Sequence, residues 1–417
     1  MRAKASSALA RKRTRMLIGM MLSAGFWGAS ALLLLRTEVP ALDLRKPSPS
    51  SYFSASELDQ IQEFGSVARW FWIASTLAGL GVLALLTWRR HLLASKVSRM
   101  LRLAPNAVIR RGAAVAACCS LAVWLAILPI GVAEHWWSRR FGLRAQDYGA
   151  WLVDRTLAGL LMTAVVSLAV TGAVYLAIRF GRHWWMAGTP VIALIGVLVV
   201  IAQPLLIDPL FNRYSSVGDR NLSAQIETLA DRLGVSITSV DVSDASRRST
   251  TANAKVTGIG PTRHVVLYDT LLDGRFTHSE IVWVSAHELA HAARGHVWKR
   301  GAWFALFAIP ALSAIAWVTE RRGGLRDPAV VPLAVLCASA LLILLQPAQN
   351  AISRHYEAEA DWLALRTTGD VASAIGTQRG FALSGLIDPD PPTWALIIRG
   401  THPTAMQRIA MAEAQRP

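Results

Sequence analysis

The hydrophobic residues of this chain of 417 residues fall into long uncharged runs, which short basic segments separate. A helix of about 20 apolar residues is long enough to cross the hydrocarbon core of a bilayer. We therefore predict a mostly α-helical, multi-pass transmembrane bundle with about seven spans. The predicted spans cover residues 16–35, 67–88, 112–133, 156–178, 184–206, 302–318 and 329–345.

Two of these predictions have alternatives. The first run follows a basic segment, as in a signal peptide, but it is long and no clear small-residue cleavage site follows it, so we expect a retained anchor. The last two runs are short and are joined by the Arg- and Gly-containing residues 321–324. They could be buried helices of a polar domain, although we favour a transmembrane hairpin.

The pattern changes at Asp208-Pro209, after which residues 209–300 have the composition of a water-soluble segment. Helical periodicity covers 221–233, while 235–242 and 264–268 are short runs rich in Val and Ile, as in strands. Residues 253–258 are a candidate for a further, partly buried strand. The segment is therefore expected to form an α+β domain with a small β-sheet.

Composition supports the membrane assignment, since 53% of the residues are hydrophobic and only 17% are charged, with a mean hydropathy of +0.36. Soluble proteins carry about 25% charged residues. The net charge of +16 comes from basic residues at the ends of apolar runs, which favours orientation in the bilayer and contact with anionic lipid. No motif for binding nucleic acid is present, so nucleic acid is not expected as a partner. The three cysteines lie in apolar runs and support neither a disulfide framework nor a Cys-based metal site.

The strongest chemical signal is the motif H-E-x-x-H at residues 287–291, within residues 277–299, which we predict to form one helix. Thr277 and Glu280 have the spacing of a capping box at its start. Because residues four apart share one face of a helix, His287 and His291 can bind one zinc ion together. Glu288 lies beside them and can take a proton from a water that the zinc activates. This is the chemistry of a metal-dependent peptidase.

A third ligand is needed, and two positions are candidates. His296 is about half a turn out of phase with His287 on a single helix, so we expect it to pack or to face solvent. Glu357 and Asp361 are four residues apart and could supply a ligand and a carboxylate that braces a ligand imidazole. Spacing alone slightly favours the alternative that Glu357, Glu359 and Asp361 form an ordinary solvated face.

Several segments together resemble the type I CAAX prenyl protease family of integral-membrane zinc metallopeptidases. The resemblance covers most of residues 130–410, whereas the first hundred residues match in hydropathy alone. Ala290 stands where Gly is common, and Lys255 where an aromatic residue is common. The matching segments are Glu134, 141–143, 208–212, 246–248, 253–254, 258–260, 265–272, 287–291, Asn350, 353–354, Glu357, 360–361, 401–403 and Arg408.

The resemblance implies one Zn²⁺ per chain, bound by His287, His291 and Glu357, with Glu288 as general base and later proton donor. It also implies that Asp361 braces a ligand, that His402 helps to stabilise the oxyanion, and that Asn253 holds the substrate backbone at the edge of the small sheet. Arg408 belongs to the C-terminal motif and is expected in substrate binding. The domains are then a five-span membrane domain (1–208), a zincin-like peptidase domain in two parts (209–301 and 350–417), and a hairpin between them (302–349).

We therefore expect a membrane-embedded zinc metalloendopeptidase that cuts membrane-associated, lipidated or misfolded proteins, in a bacterial cell membrane. Two alternatives are a protease with its motif inside a span, which the polar residues around the motif disfavour, and a non-catalytic scaffold or transporter with a vestigial metal site. Basic segments favour a cytoplasmic N-terminus, which puts the zinc domain outside, whereas the family's eukaryotic members place theirs on the cytosolic side. The side of the membrane and the oligomeric state stay open.

Overall fold

The computed structural model describes residues 21, 25–42 and 44–415, and helices dominate them. The predicted fold class is confirmed: long apolar helices form a bundle, and a small sheet lies in the polar part of the chain. The described helices are α1 Gly25–Leu34, α2 Ala55–Trp88, α3 Arg90–Met100, α4 Val108–Arg140, α5 Tyr148–Phe180, α6 Trp184–Ala202, α7 Asp208–Phe211, α8 Arg220–Arg232, α9 His278–Ala293, α10 His296–Glu320, α11 Val331–Thr368, α12 Val371–Gly385, α13 Thr393–Arg399 and α14 Ala405–Glu413.

Five helical stretches of the described residues are long and apolar enough to cross a membrane, against the predicted count of about seven. One stretch, Tyr148–Leu198, contains α5 and most of α6, because a single turn at Gly181–His183 joins them. The first predicted span lies partly outside the described residues, and its described part forms the short helix α1. The other stretches are Ala55–Trp88, Val108–Arg140, His296–Glu320 and Pro328–Thr368.

The helix α2 begins before the predicted second span, which was expected to start at residue 67. It starts at Ala55, and its first three turns are mainly polar. Ser54 accepts a hydrogen bond from the Glu57 N–H, and the Glu57 carboxylate accepts one from the Ser54 N–H. This capping box starts the helix well before the apolar run begins.

The sheet has four strands in the order β1-β2-β4-β3, and three of them were predicted. The strand β2 pairs antiparallel with β1 and parallel with β4, and β4 pairs antiparallel with β3. The strand β1 was missed because three partly exposed residues carry no hydrophobic alternation. Val265 and Leu267 of β4 are fully buried against α8 and α9, so the sheet forms one wall of the peptidase core. The strands are β1 Tyr214–Ser216, β2 Val240–Ser243, β3 Ala254–Thr257 and β4 His264–Tyr268.

The motif helix is shorter than predicted. Thr277 and Glu280 form the expected capping box, but α9 ends at Ala293. Gly295 has a φ of +62°, a left-handed conformation that stops a helix and that glycine adopts without strain. The next helix, α10, begins at His296 in a different direction, so the phase argument applied to His296 does not hold.

The helix α11 has 38 residues and is about 57 Å long, far more than a bilayer core of about 30 Å requires. Its first half is apolar, and its second half carries the third-ligand segment. The boundary predicted at residues 349 and 350 therefore falls inside one continuous helix, and the proposed domain division remains a prediction. The chain after α1 runs along this second half, where Leu34 O accepts a hydrogen bond from the Tyr356 hydroxyl at 2.7 Å.

Candidate metal centre and active site

The two histidines of the motif turn the same ring nitrogen toward each other. His287 and His291 lie one turn apart on α9, and their Nε2 atoms are 3.1 Å apart. The rings are nearly perpendicular, with an interplanar angle of 82°. Both side chains are largely buried, with exposed fractions of 7% and 16%. The i, i+4 geometry that the sequence predicts is therefore present.

Glu357 of α11 completes this group. Its Oε2 atom lies 3.3 Å from His287 Nε2 and 3.5 Å from His291 Nε2. The same oxygen is buried without a hydrogen-bond partner among the described residues, whereas Oε1 accepts a hydrogen bond from Arg300 Nη2 at 3.0 Å. The alternative of a solvated charged face is wrong, because Glu357, Glu359 and Asp361 are only 2–3% exposed.

These three atoms fit a metal ion in their spacing and in their chemistry. Ligands bound at about 2.0–2.2 Å in a tetrahedral arrangement lie about 3.3–3.6 Å from one another. The separations of 3.3 and 3.5 Å from Glu357 Oε2 lie within this range, and the 3.1 Å between the two Nε2 atoms is slightly below it. A buried carboxylate oxygen without a donor is costly unless a cation completes its environment. The described residues that could hold a metal in this way are His287, His291 and Glu357.

Glu288 follows His287 on the motif helix and does not belong to the group of three. Burial raises the pKa of its carboxyl to about 7, and the charge of Glu357 acts in the same direction. The neighbouring cations Arg408 and Arg300 and the His287 ring oppose that shift. A carboxyl group that exchanges a proton near neutral pH suits a general base that later returns the proton.

A carboxylate contacts the ring nitrogen of His287 that faces away from His291. Its Nδ1 atom lies 2.8 Å from Asp361 Oδ1, one turn beyond Glu357 on α11. Arg408 of α14 donates to both Asp361 oxygens, from Nε at 2.7 Å and from Nη2 at 2.5 Å. Trp283 packs against the His287 ring with the centroids 5.8 Å apart. Asp361 therefore lies where the sequence predicted a brace.

Arg408 was predicted to bind substrate, and the structure places it elsewhere. Its side chain is 9% exposed and is occupied by Asp361, and its Nη2 atom is also 3.4 Å from His287 Nδ1. This is the position of a group that fixes Asp361. A contact between Arg408 and substrate stays a prediction.

Asn253 precedes the motif helix in the chain, whereas His402 follows Glu357, and both side chains are exposed. His402, between α13 and α14, brings Nε2 to 3.4 Å from Glu357 Oε2, and 58% of its side chain is exposed. Asn253 immediately precedes β3, one of the two edge strands, and its Oδ1 accepts a hydrogen bond from the Ala254 N–H at 2.9 Å. The structure thus brings His402 to the ligand group and puts Asn253 at the sheet edge.

Three residues around the centre were not among the predicted site residues. His296 lies against His291, with their Nδ1 atoms 2.8 Å apart, and Glu359 lies 2.9 Å from His296 Nε2. Arg300 donates to Glu357. Gly295 was a signal for a helix end and thus for a new direction at His296, whereas nothing in the local pattern points to Arg300 or Glu359.

Residues 216–416 match the model of peptidase family M48, and residues 37–213 match that of the CAAX prenyl protease N-terminal region, described as five membrane helices. Residues 216–416 therefore belong to peptidase family M48, and the chain combines this domain with a CAAX prenyl protease N-terminal region. The S. mikatae Ste24p crystal structure has the same fold: it aligns with a TM-score of 0.78 over 94% of this M48 chain and 97% of its own, at 19% identity.

Two curated relatives of this M48 chain are similar in sequence. An uncharacterised metalloprotease of Bacillus subtilis, YhfN, is 29% identical over 306 residues, which make up 71% of this chain and 72% of the relative. CAAX prenyl protease 1 of Saccharomyces cerevisiae is 29% identical over 179 residues, 41% of this chain and 38% of the yeast protein. The match with the yeast protein therefore spans well under half of its length.

These findings confirm the family and the general function predicted from the sequence. The M48 chain is an integral, multi-pass membrane protein and a metallopeptidase. A metal cofactor and a peptide or protein substrate follow from membership of the family.

Proposed function

We propose that this M48 protein is a zinc endopeptidase that hydrolyses membrane-associated, lipidated or misfolded proteins. The observation that carries the proposal is the convergence of His287 Nε2, His291 Nε2 and Glu357 Oε2 within 3.1–3.5 Å of one another. Two imidazoles and one carboxylate, with a fourth position open, are the ligand set of catalytic zinc.

Zinc in this position would supply Lewis-acid activation of a water molecule and of the peptide carbonyl. Glu288 would accept the proton of that water. Its pKa of about 7 makes the carboxylate a stronger base than an exposed glutamate and lets the protonated form deliver the proton to the leaving amine. His402, exposed and 3.4 Å from Glu357, would donate to the developing oxyanion.

The substrate backbone would bind along β3. This strand is one edge of the sheet, and within the described residues no strand pairs with its outer side. An extended peptide can add to such an edge by main-chain hydrogen bonds. Asn253 would hold the incoming backbone where β3 begins.

The membrane location supports substrates that are themselves at the membrane. The helices α10 and α11 both belong to membrane-capable stretches, and α11 continues without a break to Glu357. The ligand group therefore lies on the polar end of a spanning helix. A C-terminal prenylated tail is one substrate to test, since the yeast and other relatives are named CAAX prenyl proteases.

The proposal is tested by comparing wild type with Glu288→Gln, both purified in detergent, on an unstructured protein such as casein. Exposed Glu227 on α8 offers a matched control, Glu227→Gln. We expect wild type and the control to cut and Glu288→Gln to lose about 10²–10⁴-fold in rate while it keeps its metal. Equal cleavage by all three would show a contaminating protease. No cleavage by a wild type that binds zinc would favour the non-catalytic scaffold.

A further inference from the structure

The two ligand imidazoles are held in different ways. Asp361 faces the Nδ1 atom of His287 directly, at 2.8 Å. The Nδ1 atom of His291 instead faces a second imidazole, that of His296, at 2.8 Å between the two Nδ1 atoms. The carboxylate lies one step further away, because Glu359 Oε2 is 2.9 Å from His296 Nε2. His296 thus stands between His291 and its carboxylate.

Metal binding by His291 Nε2 fixes the direction of these hydrogen bonds, which donate from His291 to His296 and from His296 to Glu359. A neutral imidazole that offers Nε2 to a metal carries its proton on Nδ1, so His291 Nδ1–H is a donor. His296 Nδ1 must then accept that hydrogen bond, which leaves the His296 proton on Nε2. That Nε2–H donates to Glu359, whose carboxylate can only accept. Each N–H in the series His291–His296–Glu359 therefore has one defined acceptor.

The surroundings hold His296 in this orientation. Its ring is 1% exposed and is stacked on Tyr356, with the centroids 4.7 Å apart and an interplanar angle of 16°. Glu359 is fixed as well: Lys299 Nζ lies 3.5 Å from Oε2, and the Glu38 N–H donates to Oε1 at 3.2 Å. Neither side chain has freedom to turn away, so the series is built into the fold.

We propose that His296, held by Glu359, is a positioning residue for the metal ligand His291. The proposal rests on the metal centre described under the proposed function. His296 fixes the ring and the tautomer of His291, as Asp361 does for His287, and the Glu359 charge raises the basicity of the ligand through His296. The end of α9 at Gly295 allows this contact, because the turn there places the His296 ring against the His291 ring.

The test measures zinc affinity rather than activity. The full chain is purified in detergent, stripped of metal and titrated with Zn²⁺ against a chromophoric chelator, and Co²⁺ absorption spectra report on the ligand field. His296→Phe removes the acceptor without a change of charge and retains an aromatic ring over Tyr356. Glu359→Gln removes the charge at the far end. Arg294→Gln is the matched control, because Arg294 faces the other Glu359 oxygen, at 3.7 Å, and does not touch His296.

We expect His296→Phe and Glu359→Gln each to weaken zinc binding by about 10–100-fold and to alter the Co²⁺ spectrum. Arg294→Gln should bind zinc within about twofold of wild type. Thermal unfolding of the metal-free proteins checks that the fold is intact. If His296→Phe fails to fold, His296→Asn replaces it, since Asn Oδ1 can still accept from His291 but cannot connect it to Glu359; it should lie between wild type and Glu359→Gln in affinity, or equal the latter.

Two results would overturn the proposal. Wild-type affinity and spectrum in His296→Phe would show that His291 needs no support from this side, and the same result in His296→Asn would show that Glu359 does not act through His296. A loss in Glu359→Gln alone would show that the charge acts through space. Failure of the wild type itself to bind zinc is a different outcome, because it would refute the metal centre rather than the role of His296.

Discussion

Arg408 and Asp361 form a buried ion pair with two hydrogen bonds, although 47 residues separate them in the chain. The pair joins α14 to α11 and directs one Asp361 oxygen at His287. It therefore links the end of the chain to the motif helix. Breaking such a pair leaves a buried charge without compensation, which costs more than the loss of a surface contact.

Replacement of Arg408 by Met is expected to destabilise the protein by about 3 kcal/mol, because Asp361 stays buried without its partner. The variant should unfold at a clearly lower temperature in detergent and should also bind zinc less tightly. Lys46→Gln is the control, since Lys46 and Asp390 form a half-exposed pair that contributes less than about 1 kcal/mol. Equal unfolding temperatures for the two variants would contradict a stabilising role for Arg408.

Replacement of any one of His287, His291 and Glu357 by Ala is expected to abolish stoichiometric metal binding, because each supplies one ligand atom. Metal content of the purified proteins, measured by mass spectrometry, should fall at least about tenfold from about one zinc per chain. His278→Ala serves as the control on the same helix, since His278 is exposed and contacts Gln225. Full metal content in Glu357→Ala would show that the third ligand lies elsewhere.

The outer edge of β3 offers a direct test of substrate binding. The Tyr268 N–H donates to Asn253 O at 3.0 Å, and pairing alternates along antiparallel strands. Lys255 therefore turns its N–H toward β4, whereas Val256 turns its N–H outward. Val256→Pro should retain the fold and lower kcat/KM by about tenfold or more, since a bound backbone loses one donor.

The matched variant is Lys255→Pro, which removes a hydrogen bond of the β3–β4 ladder and the contact of Lys255 with Asp208. It should lower the unfolding temperature, while Val256→Pro leaves it close to wild type. Unchanged kcat/KM in a folded Val256→Pro protein would rule out strand addition along this edge.

Gly258, directly after β3, permits no side chain. Its φ is +84°, and a Cβ atom would lie 2.1 Å from Thr262 O. Gly258→Ala is therefore expected to cost about 3 kcal/mol or more, seen as a lower unfolding temperature and loss of activity. Gly274→Ala isolates the backbone strain, because Gly274 has a φ of +92° and no atom within 4 Å; it should cost about 1 kcal/mol. Similar losses in both variants would show that the clash is relieved.

Much of the candidate centre could be predicted because it depends on local geometry. The capping box at Thr277 and the spacing of His287 and His291 are properties of one helix, and a helix repeats every 3.6 residues. The burial of Glu357 and the ring of contacts around it could not be predicted in this way. They depend on how α11 packs against α9, which no spacing within α11 encodes.

Local signals could not place His296, because Gly295 ends the motif helix directly before it. His296 was expected to pack or to face solvent, and it is buried, but its contacts with His291 and Glu359 were not predicted. Arg408 contacts Asp361, 47 residues away in the chain, and no local pattern indicates that pair. A contact between Arg408 and substrate stays a prediction.

The sequence by itself determined that long apolar helices form a membrane bundle, that one helix presents the two histidines, and where three of the four strands lie, since hydrophobic runs and helical periodicity act over short distances. The tertiary structure alone decided which carboxylate joins the histidines and which side chains support each ligand. It did so because burial makes an unpaired charge or donor costly, so the packing of α9, α11 and α14 favours arrangements in which buried polar groups satisfy one another.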